Sequence, residues 1–215
     1  MSLKWPDPMR LFSASRYRRG IAITTLLAAM LSCVACSRAQ TQGTDKAVGS
    51  PSVELESGGV DGLNYTPWYI HEFEIEGPDG SGIQGGGGNM MPAHADGSPS
   101  GGGSDTCCMT YPAEWQPDLK LTVRWLVNKK MDGKTPSYWY KAENVRIAQY
   151  DGKHTGGVWG IFLPGDRVRL MIVDGNEGGN DPNNRPADND PLVVKGVLDK
   201  EWNDLYPNGV ARGIQ

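Results

Sequence analysis

Leu119-Lys120-Leu121-Thr122-Val123-Arg124-Trp125-Leu126-Val127 alternates apolar and polar residues, with Leu119, Leu121, Val123 and Trp125 on one parity. A period of two places alternate side chains on one face of an extended chain, so this stretch is predicted to be a half-buried β-strand. Upstream, Trp68-Tyr69-Ile70-His71-Glu72-Phe73-Glu74-Ile75-Glu76 shows the same period with one slip. Trp68 and Ile70 share a parity, Phe73 and Ile75 take the other, and such a slip is the signature of a β-bulge. Downstream, Asn144-Val145-Arg146-Ile147-Ala148 is short and alternating. Val158–Leu163 and Arg167–Val173 flank Pro164-Gly165, which predicts a hairpin. A helix-like spacing occurs at Leu198, Trp202 and Leu205, giving one short C-terminal helix over Asp199–Tyr206. Several short strands without a strand–helix–strand rhythm predict an all-β fold, an antiparallel β-sandwich, with a barrel as the competing closure.

The N-terminus has a different character. Residues 1–20 carry five basic residues and one acid, and residues 21–32 (IAITTLLAAMLS) carry no charge. A basic segment followed by a short apolar run reads as a secretory signal, because a spanning helix needs about 20 apolar residues. Met30-Leu31-Ser32-Cys33 and Val34-Ala35-Cys36 both place a small residue before a cysteine, as a lipoprotein signal requires. Cys33 is the preferred lipidation site and Cys36 the alternative. The domain reading is therefore 1–32 signal peptide, 33–58 flexible tether and 59–215 β-sandwich. A lipid of this kind anchors a chain without spanning the bilayer. The residue after either cysteine is not Asp, which predicts the periplasmic face of the outer membrane.

Charge narrows the partners. The whole chain carries a formal charge of −4, and loss of residues 1–32 takes it to −8, because five basic residues leave with one acid. An acidic domain argues against nucleic acid and favours a basic protein surface as partner.

Two long segments read as loops. Residues 77–104 hold eleven glycines in twenty-eight positions, including Gly85–Gly88, and ordering them costs much backbone entropy. No Lys or Ser/Thr follows in the arrangement of a phosphate loop. Asp174–Asp190 is rich in Asn, Asp, Gly and Pro; it lacks the calcium-loop pattern and reads as solvated. Cys107-Cys108 stands open between two thiols on opposite faces of a strand and a strained vicinal disulfide. The cysteine and histidine spacing matches no zinc site, and neither a GxSxG elbow nor HExxH is present, so no metal, cofactor or catalytic residue is expected. Tyr138-Trp139-Tyr140 is the densest aromatic cluster, either core packing or an exposed contact patch. Pro136 just before it suggests an edge or loop position, which favours exposure.

The order of motifs resembles a family of small Gram-negative lipoproteins of unknown function. It runs through Gly62-Leu63-Asn64-Tyr65-Thr66, Tyr69-Ile70-His71, a glycine-rich stretch and Cys107-Cys108. Pro112, Trp115, Pro117, Leu119 and Val123-Arg124-Trp125 follow. Some members are encoded beside type VI secretion effectors, notably phospholipases. The resemblance therefore implies an immunity protein, not an enzyme, that binds a secreted lipase and blocks it. The residues expected at such a contact are His71, Tyr138, Trp139 and Tyr140, with Met90 and Met91 as adaptable apolar groups.

Overall fold

A computed structural model describes residues 53–101, 106–174 and 180–209. The signal peptide, Cys33, Cys36 and the tether up to residue 52 lie outside the described residues. Among the described residues, eleven strands form two sheets. In chain order they are β1 (Leu55–Asn64), β2 (Tyr69–Glu76), β3 (Gln84–Met90), β4 (Ser100–Gly101), β5 (Thr106–Pro112), β6 (Leu121–Asn128), β7 (Tyr138–Val145), β8 (Val158–Leu163), β9 (Arg167–Ile172), β10 (Val194–Lys195) and β11 (Val197–Leu198). A short α-helix, α1 (Lys200–Leu205), comes after them. The first sheet runs β10-β9-β8-β1-β4, with β5 also on β1; the second runs β11-β7-β6-β2-β3. Among the described residues no helix is long and apolar enough to cross a membrane.

The alternation that defines β6 is the alternation that fills the core. Val123, Trp125 and Val127 point inward with Phe73 and Ile75 of β2, and meet Val158, Phe162, Val168 and Leu170 of the other sheet. Phe73, Phe162 and Trp125 form an aromatic seam, with centroids 5.2 Å and 5.6 Å apart. The expected slip in β2 is a register shift against β6 between Ile70 and Glu72. The predicted hairpin is β8–β9, paired from Val158↔Ile172 to Leu163↔Arg167. Asn64, fully buried, closes the β1–β2 corner. Its Nδ2 donates to the carbonyls of Trp68 (2.7 Å) and Met91 (2.8 Å), and its Oδ1 accepts from Thr66.

The structure corrects several expectations. The sandwich is not wholly antiparallel: β1 pairs in parallel with β8 from Val60↔Val158 to Asn64↔Phe162. Pairing also starts earlier than the expected tether boundary, since Leu55–Gly58 already pair with β5. Leu119 lies outside β6, and Tyr138 opens the β7 strand that ends at Val145, leaving Ile147 a single bridge to Leu170. The glycine-rich segment is not one loop, because Gln84–Met90 is a strand along β2. In the helix only Trp202 is buried, while Leu198 and Leu205 are exposed. The acids of the second loop are not all solvated. Asp174 is buried, accepting from the amides of Asp151 and Asn180, and Asp190 pairs with Arg169 at 2.9 Å.

The aromatic triplet divides by parity. Trp139, fully buried, points to the outer face of the second sheet, where it packs with Leu126 and with Trp202 of α1 at 4.6 Å between centroids. Tyr140 points inward and stacks on Trp125 at 5.9 Å. Lys129 is held over Trp68 and Tyr140, at 4.1 Å and 4.5 Å from the ring centres, and pairs with Asp166 at the β8–β9 turn.

Candidate binding trough over the glycine strand

The outer face of the second sheet is half covered. Helix α1 lies on β6 and β7, and the β2–β3 half remains open as a trough of about 510 Å³. Phe73 and Ile75 must face the core, so the period of two sends Glu72, Glu74 and Glu76 to the open face. They stand opposite Gly88, Gly86 and Gln84 of β3, with the carboxylate-bearing positions roughly 6.8 Å apart along the strand. Glu76 is bridged by Arg124 of β6. His71 lies at one end of the trough and Cys108 lines its lip.

The floor is glycine because nothing else fits. A Cβ on Gly86 would lie 2.3 Å from the Phe73 carbonyl oxygen, and one on Gly88 2.4 Å from that of His71. Gly85 is pressed on the buried Met109, and Gly87 on the Phe73 ring. The entropy cost of ordering these residues is offset by a ladder along six β2 positions and by contacts that only a side-chain-free strand permits.

His71 is tied down on two sides. Its Nε2 lies 2.9 Å from Ser137 Oγ, and the Tyr69 ring meets its ring edge-on at 4.5 Å. Burial holds the imidazole below the usual histidine pKa, favouring the neutral form. The unfolded chain then binds a proton more readily than the folded one, so stability falls as pH drops from about 6.5 toward the depressed native value. His71→Gln is expected to remove that component, which urea unfolding at pH 7 and pH 5 would register as a smaller loss of midpoint than in the parent. An equal loss in both would show that His71 is not its source.

Chemically, the trough offers the carboxylates of Glu72, Glu74 and Glu76 with His71 and Cys108 at its edges. Ser137 is buried and does not line it. His154 is 2.9 Å from Asp151, three residues away on an exposed turn. Among the described residues no group of three His, Cys, Asp or Glu could hold a metal ion. Of the expected contact residues, His71 alone lines the trough. Met90 is fully buried against Gly62 and cannot adapt to a partner, whereas Met91, the next residue, is exposed. Trp139 is core under α1, and Tyr140 is half-buried within the sandwich. Tyr138 is exposed and adjoins Ser137, the hydrogen-bond partner of His71. Cys107 and Cys108 are joined to each other as a vicinal disulfide, and both are exposed. Sequence reasoning missed Glu72, Glu74 and Glu76, although their alternation in HEFEIE was the available signal.

Two packed sheets, one short helix and a trough left open on one outer face define a mostly β sandwich. The chain belongs to the family described as a protein of unknown function, DUF3304, whose model matches residues 63–170. That span runs from the end of β1 into β9 and so includes the trough and the cysteine pair, but not α1. No curated protein and no solved structure matches the chain.

Proposed function

We propose that this protein is a lipoprotein held by Cys33 at the periplasmic face of the outer membrane, where it acts by binding. Its partner is a secreted lipase-type effector, and it serves as the immunity protein that occludes that effector's cleft. The basic segment, uncharged run and cysteine at residues 1–33 support the anchor. The observation that carries the binding role is the β2–β3 trough, in which the glycine run Gly85–Gly88 lies beside the carboxylates of Glu72, Glu74 and Glu76. Such a surface complements a basic segment, and the acidic domain steers its approach.

The test is capture by the mature chain of the secreted effectors of the same strain, with lipase activity read in parallel. Tight capture with loss of activity is the expected result. Glu72→Lys combined with Glu74→Lys is expected to weaken capture about 100-fold and to restore the lipase, since each reversal removes an attraction and adds a repulsion. Capture of envelope proteins and of no effector would overturn the immunity role in favour of a structural or assembly lipoprotein.

A further inference from the structure

The pairing of β1 with β5 is regular from Leu55↔Pro112 to Gly58↔Met109 and then shifts to Val60↔Thr106. Between the two matched positions β1 has one residue, Gly59, and β5 has two, Cys107 and Cys108. The cysteine pair therefore is the bulge. It faces a glycine around which a Cβ would find nothing within 4 Å, and both cysteines are open to solvent. A bulge carries its extra residue outside the ladder, so the disulfide adds a covalent constraint at the point where the pairing is interrupted.

The two residues after the pair, Met109 and Thr110, grip the trough. Met109, fully buried, is the residue on which Gly85 is pressed: a Cβ there would lie 2.5 Å from Met109 Cβ and 2.7 Å from its Cα. Thr110 Oγ1 accepts from the Gln84 amide at 3.2 Å and donates to the Gly82 carbonyl. Residues 109 and 110 thus hold the near side of β3, and Cys108 itself lines the trough.

The geometry points to Cys107–Cys108 as a reducible site whose oxidised form locks the lip of the trough, with a dithiol as its exchange substrate. A thiolate of the dithiol attacks one sulfur, the Cys107–Cys108 bond breaks, and the other sulfur leaves as a thiolate that takes up a proton. The second thiol of the reductant then resolves the mixed disulfide. The protein gains two electrons and two protons, and the dithiol leaves as its own disulfide. Reduction replaces one closed ring by two independent side chains on an unpaired bulge. Met109 and Thr110 are then held less firmly, and so is the glycine floor. The consequence for a partner rests on the proposed binding role; the change in the floor does not.

The experiment uses the full mature chain, oxidised or treated with dithiothreitol, without any partner. Alkylation with peptide mapping is expected to find no label on Cys107 or Cys108 before reduction and one on each after it. Amide hydrogen exchange at Gly85–Gly88 is expected to quicken at least about tenfold on reduction, while the central strand β6 stays unchanged. Cys107→Ser with Cys108→Ser should reproduce the reduced pattern. If that variant does not fold, the reduced parent, whose sequence is unaltered, decides the matter. Label on either cysteine without reductant, or equal exchange at Gly85–Gly88 in both states, would overturn the inference. Failure to capture an effector would leave these readouts untouched, so the two ideas fail separately.

Discussion

Gly86→Ala is expected to destabilise the domain by about 3 kcal/mol, the upper part of the range for overpacking a tight site. The added methyl carbon would stand 2.3 Å from the Phe73 carbonyl oxygen and 3.3 Å from Glu74 Cα, both backbone atoms of β2. Neither can rotate out of the way as a side-chain tip could. Relief requires β3 to part from β2, and that breaks a ladder running from Ile70↔Met90 to Glu76↔Gln84. The same substitution at Gly59, where a Cβ meets nothing within 4 Å, is expected to stay within about 1 kcal/mol of the parent, since it also restricts the unfolded chain. Thermal unfolding of the two variants makes the comparison: about 3 kcal/mol corresponds to roughly 6–12 °C for a domain of this size. Similar melting temperatures for both would mean that β3 leaves room for a methyl group against β2.

The same strand shows where local sequence stops being informative. Leu121, Val123 and Trp125 reveal their strand because alternation is a local property, and Pro164-Gly165 reveals a hairpin because the turn is local too. Asp199 could be placed at the start of a short helix for the same reason. Gly85–Gly88 carries the composition of a mobile loop, and only the positions of Phe73 and Met109, distant in sequence, turn it into the one kind of strand that fits. The parallel pairing of β1 with β8 joins segments about 100 residues apart and has no local signature at all. Tyr138-Trp139-Tyr140 was legible as an aromatic cluster, open between core packing and a contact patch. Composition alone could not show that both faces of the sheet are covered there, because the cover on the outer face is Trp202 of α1. The trough was half legible: the glutamates alternate in plain view, but which half of the outer face stays open depends on where α1 docks.

Docking of α1 hangs on one carboxylate, and Asp199→Ala is expected to cost about 3–4 kcal/mol, the sum of a lost cap and a broken buried ion pair. Asp199 is 1% exposed. Its Oδ1 accepts from the Trp202 amide at 3.2 Å as the N-cap of the helix, and its Oδ2 accepts from Arg124 Nε at 2.9 Å. Arg124 in turn lies over the Trp202 ring, 4.8 Å from its centre, and Trp202 packs on Trp139. Alanine leaves the mostly buried guanidinium with the half-exposed Glu76 still as a charge partner, which keeps the loss below that of a wholly orphaned charge. Asp199→Asn separates the two contributions. Its amide oxygen can still cap the helix, but its NH₂ then meets the Arg124 donor, so most of the ion-pair loss is expected to remain while the cap is kept. The exposed pair Lys200–Asp204 on the same helix supplies the control, and Asp204→Ala is expected to leave the unfolding midpoint close to that of the parent. Urea unfolding measures all three, and near-ultraviolet circular dichroism of the Trp139–Trp202 contact reports whether the helix has left the sheet. If Asp199→Ala and Asp204→Ala cost the same, the helix is held by its aromatic face alone and the carboxylate is incidental. If Asp199→Asn is as stable as the parent, the cap and not the charge fixes α1. In the first case the boundary of the trough is set by Trp202 packing, in the second by the cap, and in neither by the Arg124 network that joins the helix to Glu76 in its wall.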